Sequence, residues 1–222
     1  MNEPSLFMKG LIAFYLRPPL PLSCLLASFS ASKFNKFRHA NANTNPIDIA
    51  WNFSLMPLRN LPSISNIRPI QIREEIAKLV EILRVLSPHS VLEIGTAGGG
   101  TLFLFCQVAS PNATIISVDF MRPLSGGYPE WKAPMYRMFP RVGQKLHLLR
   151  GDSHDPQTLE TIKRILNTQK IDFLFIDGDH TYEGVEKDFE MYSPLVRSGG
   201  IIVFHDIVEH PPATGCEVSR FW

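Results

Sequence analysis

The feature that most constrains the fold is an alternation of short apolar segments and helical segments between residues 90 and 204. The apolar segments are rich in β-branched residues, and they are predicted as strands at 90–94, 114–118, 145–149, 171–176 and 200–204. Continuous apolar strands of this kind are typical of a parallel sheet that helices cover on both faces. We therefore expect an α/β fold with a Rossmann-like, doubly wound, mainly parallel sheet.

A helix with a clear apolar periodicity marks the start of the predicted α/β domain. Apolar residues recur at three- and four-residue spacing in 71–86, and further helices are predicted at 101–109, 158–166 and 183–196. We predict a domain over residues 70–222, preceded by an N-terminal extension over 1–69. The extension is rich in Asn, Pro and Ser from residue 41 to 69, with a short helix or lid at 47–55.

The apolar stretch at 6–32 is interrupted by Pro18, Pro19 and Pro21. Its longest uninterrupted apolar run is far below the roughly 20 residues of a membrane span. We expect a poorly packed extension or a segment that binds a surface peripherally; the alternative is a signal sequence.

Composition narrows the class of partner and the compartment. The formal net charge is +1, so nothing indicates a nucleic-acid partner. The three cysteines, Cys24, Cys106 and Cys216, are far apart and form no CxxC pair, which favours a reducing, cytoplasmic setting. Cys106 lies in an apolar helical stretch, where we expect a packed side chain rather than a nucleophile.

The strongest motif is the loop after the first strand, which carries glycine at positions 95 and 98–100. Glycine lets the backbone turn sharply and approach a ligand closely. The pattern differs from the dinucleotide fingerprint because Ala97 stands where the second glycine would be. Glu93 at the strand end would repel a phosphate but attract a cationic ligand or an amino group. Asp119, which ends the second strand, could accept hydrogen bonds from ribose hydroxyls.

The third strand is followed by Gly151, Asp152 and Ser153. Asp152 or Ser153 could contact an adenine edge. Alternatively Ser153 or Asp155 caps the next helix, whose first position suits Pro156. The two interpretations are compatible.

Acids and imidazoles follow the last two strands. The fourth strand leads into Asp177, Asp179 and His180, and the fifth ends at His205 and Asp206. Neighbouring strand ends lie about 5 Å apart, so these side chains could converge. They could hold a divalent cation and accept a proton, or else satisfy loop backbone groups.

The order of these motifs resembles class I S-adenosylmethionine-dependent methyltransferases. The similarity extends from about residue 71 to 211 and is greatest to the branch with cephalosporin hydroxylase-like and rhamnosyl O-methyltransferase proteins. The resemblance implies S-adenosylmethionine as cofactor. The cofactor residues that we predict are Glu93, Gly95, Thr96, Gly98, Gly99, Asp119, Asp152, Ser153 and Asp177.

The resemblance also implies a cation site and a base. In metal-dependent branches the acid after the fourth strand and a pair after the fifth hold the cation, which here are Asp177, His205 and Asp206. The first member of that pair is usually acidic, so His205 is a departure that shifts the preference from magnesium toward manganese, iron or zinc. His180 stands where catechol-type relatives have a lysine base, and we predict His180 and Asp177 as catalytic residues.

A second departure concerns the end of the fold. The class I sheet normally finishes with an antiparallel hairpin, whereas only 16 residues follow Asp206. We expect the hairpin to be missing, which leaves the fifth strand as an edge open to self-association, unless the N-terminal extension covers it.

The motifs and the resemblance are compared with three possible functions. The favoured one is O-methylation of a hydroxylated small molecule or sugar. The second is a truncated, inactive cofactor-binding protein that acts as an assembly partner. A nicotinamide-dependent oxidoreductase is disfavoured by Ala97 and by the Asp-Gly-Asp-His segment at 177–180.

Overall fold

The computed structural model describes residues 18–55, 66–120 and 127–222. Within these ranges no helix is long and apolar enough to cross a membrane. Residues 6–17 of the apolar stretch 6–32 lie outside the described residues.

A five-stranded sheet organises the chain. Its strands are β1 (Ser90–Ile94), β2 (Thr114–Asp119), β3 (Lys145–Arg150), β4 (Ile171–Ile176) and β5 (Val196–Phe204). All neighbouring strands are parallel, and the spatial order is β3-β2-β1-β4-β5. Ile94 at the end of β1 pairs with Val118 of β2 and Ile176 of β4, and Ile176 pairs with Phe204 of β5. The carboxyl ends of these strands therefore lie along one edge.

Helices cover both faces of the sheet. In chain order they are α1 (Leu20–Ala40), α2 (Pro46–Asn52), α3 (Arg73–Leu86), α4 (Gly100–Val108), α5 (Ala133–Tyr136), α6 (Pro156–Leu166), α7 (Tyr182–Tyr192) and α8 (Val218–Phe221). Val80 of α3 and Phe105 of α4 belong to one core cluster, whereas Ile162 of α6 and Val185 of α7 belong to a second. The predicted doubly wound, parallel α/β fold is confirmed.

The prediction for the end of α7 was wrong. The helix was expected to run to Val196 but ends at Tyr192, and a 3₁₀ turn over Ser193–Leu195 leads directly into β5. Pro194 cannot donate a backbone hydrogen bond and so does not continue a helix. β5 consequently begins four residues earlier than predicted, with a register irregularity opposite Ile171 and Phe173.

The described part of the N-terminal extension begins with α1, a 21-residue helix from Leu20. Within the described part of the stretch 6–32, Leu20 and Leu25 are exposed and Ser30 is buried, and its binding to a surface stays a prediction. Packing is closer in the second half of the helix. Phe34 is fully buried, with ring centroids 5.2 Å from Phe53 and 5.0 Å from Phe139. The helix packs on α5 and on the 3₁₀ turn Glu130–Lys132 rather than along β5.

The last strand ends the sheet among the described residues. After β5, residues 205–222 form a 3₁₀ turn at Pro212–Thr214 and the short helix α8, with no further strand. Phe221 of α8 packs on Phe204 and Phe189, with ring centroids 5.5 and 5.7 Å away. Among the described residues β5 therefore lies at the sheet edge.

Candidate active site

The loop between β1 and α4 depends on glycine at its first position. Gly95 has φ +93°, and a Cβ there would lie 2.0 Å from the carbonyl oxygen of Asp177. Its N–H donates to the carbonyl of Val118 at 2.9 Å. The loop thus crosses directly over the start of the turn after β4, which brings the glycine loop and the predicted catalytic turn into contact.

Two more glycines shape the start of α4. Gly99, at φ +86°, precedes the helix, and a Cβ there would lie 2.7 Å from the Tyr136 ring. The Tyr136 hydroxyl donates to the carbonyl of Ala97 at 3.0 Å, and the carbonyl of Gly98 lies 3.4 Å from Lys132 Nζ. The sequence did not identify Tyr136 or Lys132, because they lie in short helical turns without periodicity.

Lys132 is a fully buried cation beside this loop. Its Nζ also donates to the carbonyl of Asn66 at 3.0 Å. Burial lowers the pKa of Lys132 to about 7, because the charged ammonium has lost most of its hydration. Lys132 therefore ties the segment before α3 to the glycine loop.

Glu93 lies completely buried at the end of β1. Its carboxylate accepts hydrogen bonds from Thr101 Oγ1 at 2.6 Å and Ser117 Oγ at 2.7 Å. Burial raises the pKa of Glu93 to about 8 despite these two bonds. Glu93 thus connects β1, β2 and α4, while its predicted contact with a cofactor stays a prediction.

Asp119 ends β2 and faces the same loop. Its Oδ2 accepts the backbone N–H groups of Thr96 at 2.9 Å and Ala97 at 2.6 Å. Burial raises the pKa of Asp119, although the two backbone donors oppose the shift. Asp119 holds the glycine loop against β2, and its predicted bonds to ribose stay a prediction.

A small cavity opens beside the loop. It has a volume of about 30 Å³, about the size of one water molecule, and is lined by residues 68–71, 95–98, 100, 101 and 177. Gln71 closes one side, because its Nε2 donates to Asp177 Oδ2 at 2.8 Å. The segment before α3 therefore covers the loop, and sequence analysis missed this role of Gln71 because it arises from packing between distant parts of the chain.

The turn after β3 is held by local bonds. Asp152 Oδ1 accepts the backbone N–H of His154 at 2.9 Å, and the Ser153 carbonyl accepts the Tyr192 hydroxyl at 2.5 Å. Asp155 caps α6 by accepting from the Gln157 N–H at 2.9 Å, which confirms the capping interpretation. The adenine contact predicted for Asp152 or Ser153 is compatible with this arrangement and stays a prediction.

The acids and imidazoles after β4 and β5 converge. Asp177 Oδ1 lies 3.1 Å from His180 Nε2 and 3.2 Å from His205 Nδ1. Asp206 lies 3.2 Å from His180 Nδ1 and 3.0 Å from His205 Nδ1. The backbone of Asp206 has φ +57°, a left-handed conformation that residues other than glycine rarely adopt. Such conformations are often found at functional sites. The juxtaposition predicted from the strand ends is thus present.

The carboxylates in this cluster raise the pKa of both imidazoles. The hydrogen bond to Asp177 raises the pKa of His180, although burial opposes it. Burial also opposes the charged form of His205, but the carboxylates of Asp177 and Asp206 outweigh it and raise the pKa to about 10. The neighbouring His205 holds the pKa of Asp206 below its usual value.

The same cluster has the donor set of a cation site. Ligand atoms of Asp177, His205 and Asp206 all lie within 4.8 Å of one another. His205 Nδ1 is buried and makes no hydrogen bond of acceptable geometry, although two carboxylates lie near it. Two oxygens and one nitrogen at this spacing suit a divalent metal such as manganese.

Curated relatives match part of this chain. An uncharacterized protein of Acanthamoeba polyphaga mimivirus is 37% identical over 122 residues, which cover 54% of this chain and 52% of the relative. The rhamnosyl O-methyltransferase of Mycobacterium bovis is 29% identical over 143 residues, covering 61% of this chain and 53% of the relative. The chain thus spans about half the length of these two curated relatives.

Solved structures support the fold. The O-methyltransferase TomG from Streptomyces achromogenes, determined in complex with S-adenosylmethionine, is similar over 96% of this chain and 80% of its own, with a TM-score of 0.51 and 18% identity. The family model described as a methyltransferase domain matches residues 92–207, just over half of the chain. This match includes the glycine loop and the acid–imidazole cluster, and it shows that the chain belongs to the methyltransferase domain family.

Proposed function

We propose that this protein transfers a methyl group from S-adenosylmethionine to a hydroxyl oxygen of a small molecule or sugar. The observation that carries the proposal is the contact between the glycine loop and the turn after β4. Because Gly95 approaches the backbone of Asp177 so closely, a donor held by the loop and an acceptor held by the acid–imidazole cluster would be neighbours. Positioning of this kind supplies much of the rate in group-transfer reactions.

The cavity has to widen to admit the whole cofactor, and the groups that line it suit the cofactor's charged parts. S-adenosylmethionine carries a sulfonium, an amino group and a carboxylate. Asp177 offers a carboxylate to the positive groups, and Arg68 offers a guanidinium to the carboxylate. Asp119 lies at the strand end where an acid can accept hydrogen bonds from ribose, and Asp152 and Ser153 lie in the turn where adenine would bind. The relative TomG was crystallised with S-adenosylmethionine.

The residues of the acid–imidazole cluster have distinct proposed roles. Asp177, His205 and Asp206 would hold a divalent cation, which, when bound, would stabilise negative charge on the acceptor oxygen. His180 would accept the proton of the acceptor hydroxyl, and its hydrogen bond to Asp177 would orient the ring. Gln71, bonded to the other oxygen of Asp177, would keep water away from the transfer.

A methyl-transfer assay tests this function. Purified protein is incubated with S-adenosylmethionine labelled in its methyl group and a panel of sugars and phenols, and labelled product is measured. His180→Ala should lower the rate by about 10²–10⁴ because a general base is lost. His147→Ala, a change on β3 away from the cluster, is the matched control and should retain the wild-type rate. Equal rates in the two variants would exclude His180 as the base.

The cation assignment has its own test. EDTA should abolish methyl transfer, and manganese should restore it. Asp177→Asn should lose cation binding when manganese affinity is measured directly by electron paramagnetic resonance. Full activity in chelator would contradict the metal role. Cofactor binding without any product across the panel would instead favour an inactive assembly partner.

Two further proposals concern the setting of the protein. We place it in the cytoplasm, and the free thiols of Cys24, Cys106 and Cys216 are compatible with that compartment. We also propose that β5 mediates self-association, since the outer edge of this nine-residue strand has no partner strand among the described residues. A light-scattering mass that stays monomeric across a wide concentration range would contradict the second proposal.

A further inference from the structure

The segment after β5 returns to the acid–imidazole cluster and brings a thiol with it. The backbone N–H of Glu217 donates to the carbonyl of His180 at 2.8 Å, which fixes residue 216 beside that histidine. The ligand atoms of Cys216, His180 and Asp206 all lie within 4.8 Å of one another. Cys216 is partly buried and forms no disulfide.

A second histidine, His210, lies beside Asp206 of this group. His210 Nε2 is buried without a hydrogen-bond partner and lies 3.4 Å from Asp206 Oδ1. A buried ring nitrogen without a partner is costly unless something binds it. The carboxylate of Asp206 is an ion-pair partner of this nitrogen, so His210 adds an imidazole beside the group formed by Cys216, His180 and Asp206.

We propose that Cys216, His180 and Asp206 form a binding site for a soft divalent cation of the zinc class. Thiolate and imidazole are the ligands that such ions prefer, and three protein ligands leave the fourth tetrahedral position of zinc to water. On binding, the Cys216 thiol gives its proton to solvent and the sulfur coordinates the metal. This site differs from the set formed by Asp177, His205 and Asp206, with which it shares only Asp206.

The two cation sites share Asp206, and this has a consequence for methyl transfer. A cation at the Cys216 site engages both His180 and Asp206, which are the proposed base and one ligand of the proposed catalytic cation. A soft cation at the Cys216 site therefore inhibits methyl transfer. A hard cation held by Asp177, His205 and Asp206 leaves the Cys216 thiol uncoordinated. This consequence rests on the proposed function, whereas the site itself rests on the geometry alone.

Cobalt binding tests the site without any activity measurement. Co²⁺ is added to the purified chain under reducing conditions, and the thiolate-to-cobalt charge-transfer absorption in the near ultraviolet is recorded. Wild-type protein should show this band, and Cys216→Ser should lose it. Cys24→Ser, at an exposed cysteine of α1, is the matched control and should keep it. Zn²⁺ affinity, measured by competition with a chromogenic zinc chelator, should be at least about tenfold weaker in Cys216→Ser, since even indirect ligand supports are worth about 10–100-fold.

A second measurement uses only the wild-type chain and so does not depend on the folding of a variant. Zn²⁺ should protect Cys216, but not Cys24, from alkylation by iodoacetamide, as read by peptide mass spectrometry. Absence of the band in wild type, its persistence in Cys216→Ser, or equal alkylation of Cys216 with and without Zn²⁺ would each overturn the proposal. None of these outcomes depends on whether the protein transfers methyl groups.

Discussion

Replacing Gly95 by alanine tests how closely the glycine loop approaches the catalytic turn. An alanine at φ +93° costs about 1–2 kcal/mol from the left-handed conformation alone. Its Cβ would also lie 2.0 Å from the carbonyl oxygen of Asp177, which is backbone and has to move. Overpacking of this kind costs about 1–3 kcal/mol more. We expect Gly95→Ala to lower the free energy of unfolding by roughly 2–5 kcal/mol.

Gly215→Ala is the matched control for this prediction. Gly215 has φ +69°, and nothing lies within 4 Å of a Cβ built there, so only the conformational cost applies. Urea unfolding followed by circular dichroism gives both free energies. Gly95→Ala should lose about 1–3 kcal/mol more than Gly215→Ala. Equal losses in the two variants would refute the close approach on which the proposed neighbourhood of donor and acceptor depends.

Two further predictions concern the extension and the turn after β3. Phe34→Ala should lower the free energy of unfolding by about 3–5 kcal/mol because the ring is fully buried, whereas Phe29→Ala, half exposed on the same helix, should cost much less; equal costs would mean that α1 is not part of the core. The carboxylate of buried Asp188, 3.2 Å from His154 Nε2, raises the pKa of His154. The stabilising contribution of this ion pair is therefore complete below the unfolded pKa of about 6.5 and is lost as the pH rises through the folded pKa. The difference in unfolding free energy between wild type and His154→Gln should therefore shrink with rising pH; a difference independent of pH would contradict the pairing.

The sheet was predictable because its information is local. β1, β2 and β4 are mostly apolar, and Val91, Ile115 and Phe173 are buried between two helical layers as such strands require. The sequence did not predict helix α1, and the reason lies in the residues at its start. Pro19 and Pro21 were interpreted as interruptions, yet they lie at the start of the helix, where proline is tolerated because the first N–H groups have no helical partner.

The candidate site was predictable only in part. The convergence of Asp177 with His205 and Asp206 follows from parallel strand order, because each residue directly follows a neighbouring strand. Gln71 and Lys132 reach the same region through packing between distant segments, and no periodicity or motif in their surroundings indicates it.

The most direct test of the account is calorimetric titration with S-adenosylhomocysteine of wild type, Asp119→Asn and Asp172→Asn. Asp172 is the matched control, because its carboxylate accepts the backbone N–H groups of His89 and Ser90 at the opposite edge of the sheet. Wild type should bind, Asp119→Asn should lose about 1.5–3 kcal/mol of binding free energy, and Asp172→Asn should bind as wild type does. A wild-type chain that does not bind, or equal affinities of wild type and Asp119→Asn, would contradict the central claim that the glycine loop and Asp119 hold the methyl donor.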